Sequence, residues 1–206
     1  MKQYFETRWI DKSELNKILN AIPELKTYIQ EDESISCRVS KDLFSCIVHT
    51  IISQQITSAA LDKIWNNLIF YIKEISPRKI ANVELNVLND LGIPLQKANT
   101  IKKIAYDILD RKISIKKINK MNDEQITKIL LQYKGIGLWT VQNILIFGLY
   151  RNNICPINDY GVQKALKMLF PDREINDELI NELETKSNHK LTLLTICLWF
   201  IANNYW

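Results

Sequence analysis

Gly135 and Gly137 bracket a single isoleucine in "LQYKGIGLWTVQNILIFGLYRNNICPINDYGVQKAL" (residues 131–166), in a chain with only five glycines. A turn of this form between two helices lets the backbone bend sharply and approach a ligand closely, because neither glycine carries a Cβ. The amides of Gly135, Ile136 and Gly137 would then point outward at the start of the next helix. Amides so placed suit an anion such as a phosphate. The same residues also fit an ordinary glycine C-cap followed by a new helix. Twenty residues beyond Trp139 stands Asp159, at what reads as the start of another helix. Alone, Asp159 is most simply a cap or a first-turn acid favoured by the helix dipole.

Other chemistry-bearing residues form no cluster in sequence. Cys37, Cys46, Cys155 and Cys197 are scattered without a CxxC pair, which argues against a zinc or iron–sulfur site and fits reduced, buried thiols. His49 and His189 are the only histidines and lie in no nucleophile or metal pattern. From Arg111 to Thr140, Arg111, Lys112, Lys116, Lys117, Lys120, Lys128 and Lys134 face only Asp123 and Glu124. Seven bases against two acids give that window a net charge of +5 in a chain whose formal net charge is +4, so the rest is about neutral. Such a stretch is either a solvated lysine-rich face or, beside a glycine turn, a lead toward an acidic partner.

The elements that must position these residues read as helices almost throughout. "KDLFSCIVHTIISQQI" sets Leu43, Phe44, Ile47, Val48, Ile51 and Ile52 on one wide apolar face. "SAALDKIWNNLIFYIK" continues the pattern through Leu61, Ile64, Trp65, Leu68 and Tyr71. Ala98, Ile101, Ile104, Ala105 and Ile108 line one side of a further helix. Ser76 before Pro77, and Asn122 before "DEQITKILLQY", are start signals. Alternating strand patterns are missing. The expectation is an all-α protein of about ten short helices, one domain or two closely joined subdomains. No apolar run reaches membrane-spanning length, and "MKQYFETRWIDKSELNK" has no apolar signal region, so a cytoplasmic protein without a membrane partner is expected.

Leu131, Tyr133, Gly135, Ile136, Gly137, Thr140 and Val141 match a helix-hairpin-helix element. With "IISQQIT", "LGIPLQKANTIKKIA", "NDYGVQKALKMLF" and "LTICLWFIA", the chain resembles the helix-hairpin-helix base-excision DNA glycosylases, within them the 3-methyladenine DNA glycosylase II group. The resemblance covers roughly residues 40 to 205. It implies two helical subdomains, residues 1–40 plus 158–206 and residues 41–157, with the hairpin at about 122–149 and an active-site cleft between them.

It further implies a monofunctional hydrolase of alkylated purines such as 3-methyladenine and 7-methylguanine, acting on damaged double-stranded DNA as a monomer. The catalytic carboxylate would be Asp159, with Trp139 and Trp199 walling the base pocket. Gln55, beside Gln54, would be the wedge that fills the gap left by a flipped nucleotide. Gly135, Ile136, Gly137, Thr140 and Lys134 would hold the DNA backbone. No cofactor is required, although carbonyls of Leu131, Tyr133 and Ile136 would suit a structural Na+ or K+. Bifunctional relatives carry a Schiff-base lysine where this chain has Trp139, which cannot serve as that nucleophile. A glycosylase for another damaged or mismatched base, a lesion-binding protein without catalysis, and a helical protein-interaction module are the competing readings. The chain departs from the family pattern at Leu138, where arginine is common, and at "SNHKLT", where a Pro-Tyr-Arg-like segment is common. Both departures remove phosphate contacts.

Overall fold

The computed structural model describes residues 4–205. Among these, twelve α-helices carry the fold: α1 (Lys12–Ala21), α2 (Leu43–Ser53), α3 (Ser58–Ile72), α4 (Pro77–Ala81), α5 (Leu85–Asp90), α6 (Leu95–Leu109), α7 (Ile115–Ile118), α8 (Asp123–Leu130), α9 (Leu138–Leu149), α10 (Tyr160–Leu169), α11 (Asp177–Lys186) and α12 (Leu191–Asn204). No helix among the described residues is long and apolar enough to cross a membrane.

The helical reading is right, but two short strands were not foreseen. β1 (Phe5–Trp9) and β2 (Ser36–Ser40) pair as a two-stranded sheet. Only Phe5 of β1 is buried, and in β2 only Val39 and Ser40. A strand that buries one end rather than one face leaves no alternation in its sequence, so no pattern announces it.

The chain divides into two compact units. One holds the residues up to Glu6 with Ser40–Leu149, and the other Thr7–Val39 with the residues from Tyr150 onward. In the first, α2 is the central helix: Leu43, Phe44, Ile47, Val48, Ile51 and Ile52 are all buried, and α2 packs on α3, α6 and α9. α3 buries Trp65, Leu68 and Ile72, whereas Tyr71, expected on that face, is 54% exposed. Positions three and four beyond Leu68 compete for the apolar face in the last turn, and the aliphatic residue takes it. The Ser76 and Asn122 caps form as expected; Asn122 and Gln125 make a reciprocal capping box.

In the second unit, α10 packs on α12, and the core combines Leu15, Leu19 and Ile22 with Val162, Leu166, Leu183, Leu198 and Ile201. α1 starts under an Asp11 cap, whose carboxylate accepts the Ser13 and Glu14 amides.

Candidate active site

In the first unit, α8 and α9 are joined by a seven-residue turn, residues 131–137. Gly135 has φ +85°, a left-handed conformation that a side chain would strain. Gly137 needs no such conformation, and a Cβ built on it meets nothing within 4 Å. The expected row of three outward amides is only partly right: the Ile136 amide turns inward and donates to the Tyr133 carbonyl at 3.0 Å. The opening turn of α9 still presents the amides that an α-helix cannot satisfy internally.

Thr140 is 2% exposed, and its hydroxyl receives the Gln54 side-chain amide at 2.8 Å. Its side chain therefore ties the first turn of α9 to the end of α2. Gln54 Nε2 also donates to the Gly135 carbonyl at 2.9 Å, so this side chain braces the hairpin. Gln55 is different: it is exposed and held at φ +55°, which projects it from the loop between α2 and α3. A non-glycine residue in that region costs about 1 kcal/mol or more and persists only where its surroundings impose it. Lys134 is exposed, and its carbonyl accepts the Thr100 hydroxyl at 2.6 Å.

The carbonyls of Leu131, Tyr133 and Ile136 lie on one turn that contains no carboxylate. One Tyr133 lone pair is already taken by the Ile136 amide. Such uncharged oxygens fit a weakly held monovalent cation better than a divalent one, which favours carboxylates. Trp139 is half-buried in the first turn of α9, with its carbonyl receiving Asn143 Nδ2 at 2.8 Å.

The basic window thins on inspection. Lys128 pairs with Glu124 at 2.9 Å, and Lys112 with Asp110 at 3.1 Å. Arg111, Lys116, Lys117, Lys120 and Lys134 are exposed and, among the described residues, pair with no acid. Behind the hairpin, Asp107 is 5% exposed, accepts the Tyr133 hydroxyl at 2.8 Å, and receives the Lys103 ammonium. Burial opposes ionisation there, but the Lys103 and Tyr133 hydrogen bonds and the positive charge of Lys103 and Lys112 outweigh it, and the Asp107 pKa is lowered. Burial and Asp107 together push the Tyr133 phenol upward, so it stays a donor.

In the second unit, Asp159 caps α10, with φ −71° and ψ 135°, and its Oδ1 accepts the Val162 amide at 3.1 Å. The same oxygen accepts the indole N–H of Trp199 at 2.8 Å. Two donors on one oxygen fix the plane of the carboxylate. Trp199, expected as a pocket wall, is thus a partner of Asp159. Gly161 makes that approach possible: a Cβ there would lie 3.1 Å from Trp199 Cδ1 and 3.3 Å from Asp159 Oδ1. The sequence reading passed over Gly161, although a glycine in the first turn of an apolar-periodic helix is itself a signal of close packing. Asn158 and Tyr160 flank Asp159 and are exposed.

The "SNHKLT" departure has a structural counterpart. His189 Nδ1 lies 2.8 Å from Glu184 Oε1, and Lys190 bonds to Glu14. These side chains tie the start of α12 to α11 and α1.

Residues 48–188 match the family described as "HhH-GPD superfamily base excision DNA repair protein". A Schizosaccharomyces pombe protein named DNA-3-methyladenine glycosylase 1 is 28% identical over 137 residues, 63% of this chain and 58% of its own. The chain spans 58% to 64% of the length of that relative and of another from Bacillus subtilis, 27% identical over 185 residues. Among solved structures, a DNA-3-methyladenine glycosidase from Bacillus halodurans aligns with TM-score 0.79 and 19% identity, over 97% of this chain and 94% of that one. The 8-oxoguanine glycosylase/lyase of Clostridium acetobutylicum aligns with TM-score 0.75 and 18% identity, over 96% and 72% of the two chains. At such identities the structural matches speak for the fold. The family match takes in most of the sequence, and the chain belongs to the HhH-GPD superfamily of base excision DNA repair proteins.

Proposed function

We propose that this protein is a monofunctional DNA glycosylase that hydrolyses the N-glycosidic bond of flipped-out alkylated purines, 3-methyladenine and 7-methylguanine foremost. The observation that carries this reading is the Asp159 carboxylate, held by both Trp199 Nε1 and the Val162 amide on Oδ1. Departure of the base builds positive charge on the deoxyribose. A carboxylate fixed in position stabilises that charge without reorganising, and it orients or deprotonates the attacking water. An N3- or N7-alkylated purine already carries positive charge and leaves without an acid, so one carboxylate suffices where sugar hydrolases use two. Trp139 offers a ring face to a cationic base through a cation–π contact, and it leaves no amine for Schiff-base chemistry.

The hairpin holds the DNA backbone through amides around Gly135 and Gly137, aided by Lys134, and Gln55 fills the space of the extruded nucleotide. A Na+ or K+ on the carbonyls of Leu131, Tyr133 and Ile136 would add positive charge toward a phosphate. The relatives named as DNA-3-methyladenine glycosylases support the choice of alkylated purines.

The test is incubation with methylated duplex DNA, with released bases counted by chromatography and Asp159→Asn run alongside. Release by the wild type alone, with the strand intact until alkali is added, is the expected result. Strand cleavage without alkali would overturn the monofunctional reading. Release by both proteins would overturn the role of Asp159. No release, with binding to abasic or mismatched duplexes, would move the assignment to another lesion or to a non-catalytic binder.

A further inference from the structure

The loop between α2 and α3 and the hairpin between α8 and α9 are about eighty residues apart in sequence, yet one residue touches both. Gln54 ends α2, and its side-chain nitrogen donates to the Gly135 carbonyl at 2.9 Å and to Thr140 Oγ1 at 2.8 Å. Its backbone carbonyl is held in turn by the Lys97 ammonium at 2.6 Å, which also takes the Ile52 carbonyl at 2.8 Å. Lys97 stands in the first turn of α6 and places its charge at the C-terminus of α2, where the helix dipole favours a cation. One turn further along α6, the Thr100 hydroxyl holds the Lys134 carbonyl. The start of α6 therefore fastens both loops, and the next residue after Gln54 is the left-handed, exposed Gln55.

Partial burial lowers the Lys97 pKa from its ordinary value. An ammonium drawn partly out of water is favourable only where it is well hydrogen-bonded, and here two carbonyls meet it.

We propose that Lys97 is a positioning residue for base extrusion: through Gln54 it locks the Gln55 turn to the 134–140 hairpin, so that gripping the backbone and inserting the wedge act as one movement. This rests on the glycosylase reading above. Lys97 touches neither the base nor the sugar in this scheme. Its effect is confined to substrates whose base must be forced from the stack.

The test compares wild type, Lys97→Met, Gln54→Leu and Lys97→Arg under single-turnover conditions on two duplexes. One carries the alkylated purine fully paired, and the other carries it in a bulge, where extrusion costs little. Lys97→Met and Gln54→Leu should lower excision from the paired duplex by about 10- to 100-fold, the worth of one charge-assisted hydrogen bond of Lys97 or of the two neutral ones of Gln54, with less than about threefold loss on the bulge. Lys97→Arg should recover part of the loss. Equal loss on both duplexes, or none on either, overturns the proposal.

Amide hydrogen exchange on the same proteins gives a readout independent of activity. Lys97→Met should speed exchange in the hairpin, residues 134–140, as well as in residues 52–56. Faster exchange confined to residues 52–56 overturns the coupling. If the wild type releases no base from either duplex, the glycosylase reading fails, and exchange still decides whether the two loops are locked together.

Discussion

At the scale of single residues, the proposed function rests on Asp159 and on the Trp199 and Val162 N–H groups that meet its Oδ1. Asp159→Asn should abolish base release while DNA binding survives or tightens, as followed by gel shift on abasic duplex. Trp199→Phe keeps an aromatic ring but removes the N–H that meets Oδ1 at 2.8 Å. A fall in kcat of about 10- to 100-fold with KM nearly unchanged is expected, the pattern of an interaction that matters in the transition state. A matching rise in KM alone would show Trp199 to act in binding instead. Gly161→Ala separates stability from activity. Alanine gains about 1 kcal/mol of helix propensity over glycine. Its Cβ would sit 3.1 Å from Trp199 Cδ1 and 3.3 Å from Asp159 Oδ1, forcing the indole or the carboxylate to shift. Thermal melting should therefore hold steady while base release falls; unchanged release would show that the pair moves without consequence.

At the scale of elements, α6 is the support on which the hairpin rests. Asp107 is buried there and holds Tyr133 of the turn, with Lys103 as its cationic partner. The folded pKa of Asp107 is depressed below the ordinary carboxylate value near 4. Stability from this group is therefore fully present above the unfolded pKa and is lost as pH falls through the folded one. Urea midpoints of wild type and Asp107→Asn should differ at neutral pH and converge as pH drops below about 4. A difference that persists unchanged into acid would mean that the carboxylate charge is not what holds Tyr133. The hairpin was legible in sequence because its motif is contiguous, with Gly135 marking a left-handed turn. Its supports were not: Gln54, Lys97, Thr100 and Asp107 are polar residues on helices, and nothing in their local pattern separates a strut from a solvated surface.

At the scale of the whole molecule, the charge distribution bears on how DNA would be held under the proposed function. Of the seven basic residues from Arg111 to Thr140, Lys112 and Lys128 are paired with acids in the structure. A hairpin that grips through amides adds few released counterions, so the slope of log affinity against log salt should be no steeper than about −3. A slope near −6 or beyond would mean that phosphate ion pairs, rather than backbone amides, dominate.

What the sequence alone determined are the features encoded locally: helices from apolar periodicity, their starts from caps at Ser76 and Asn122, and the hairpin from the family motif that runs from Leu131 to Val141. The family motifs around Asp159 and Trp139 were readable for the same reason. Only the tertiary structure decided that Trp199, forty residues beyond Asp159, donates to its carboxylate, that Gly161 leaves room for this, and that Gln54 bonds to the hairpin. It also decided the β1–β2 pair, since each strand buries only an end and finds its partner about thirty residues away. Period and propensity are properties of neighbours along the chain. A hydrogen bond between distant residues depends on how whole helices pack, and no short stretch of sequence contains that information.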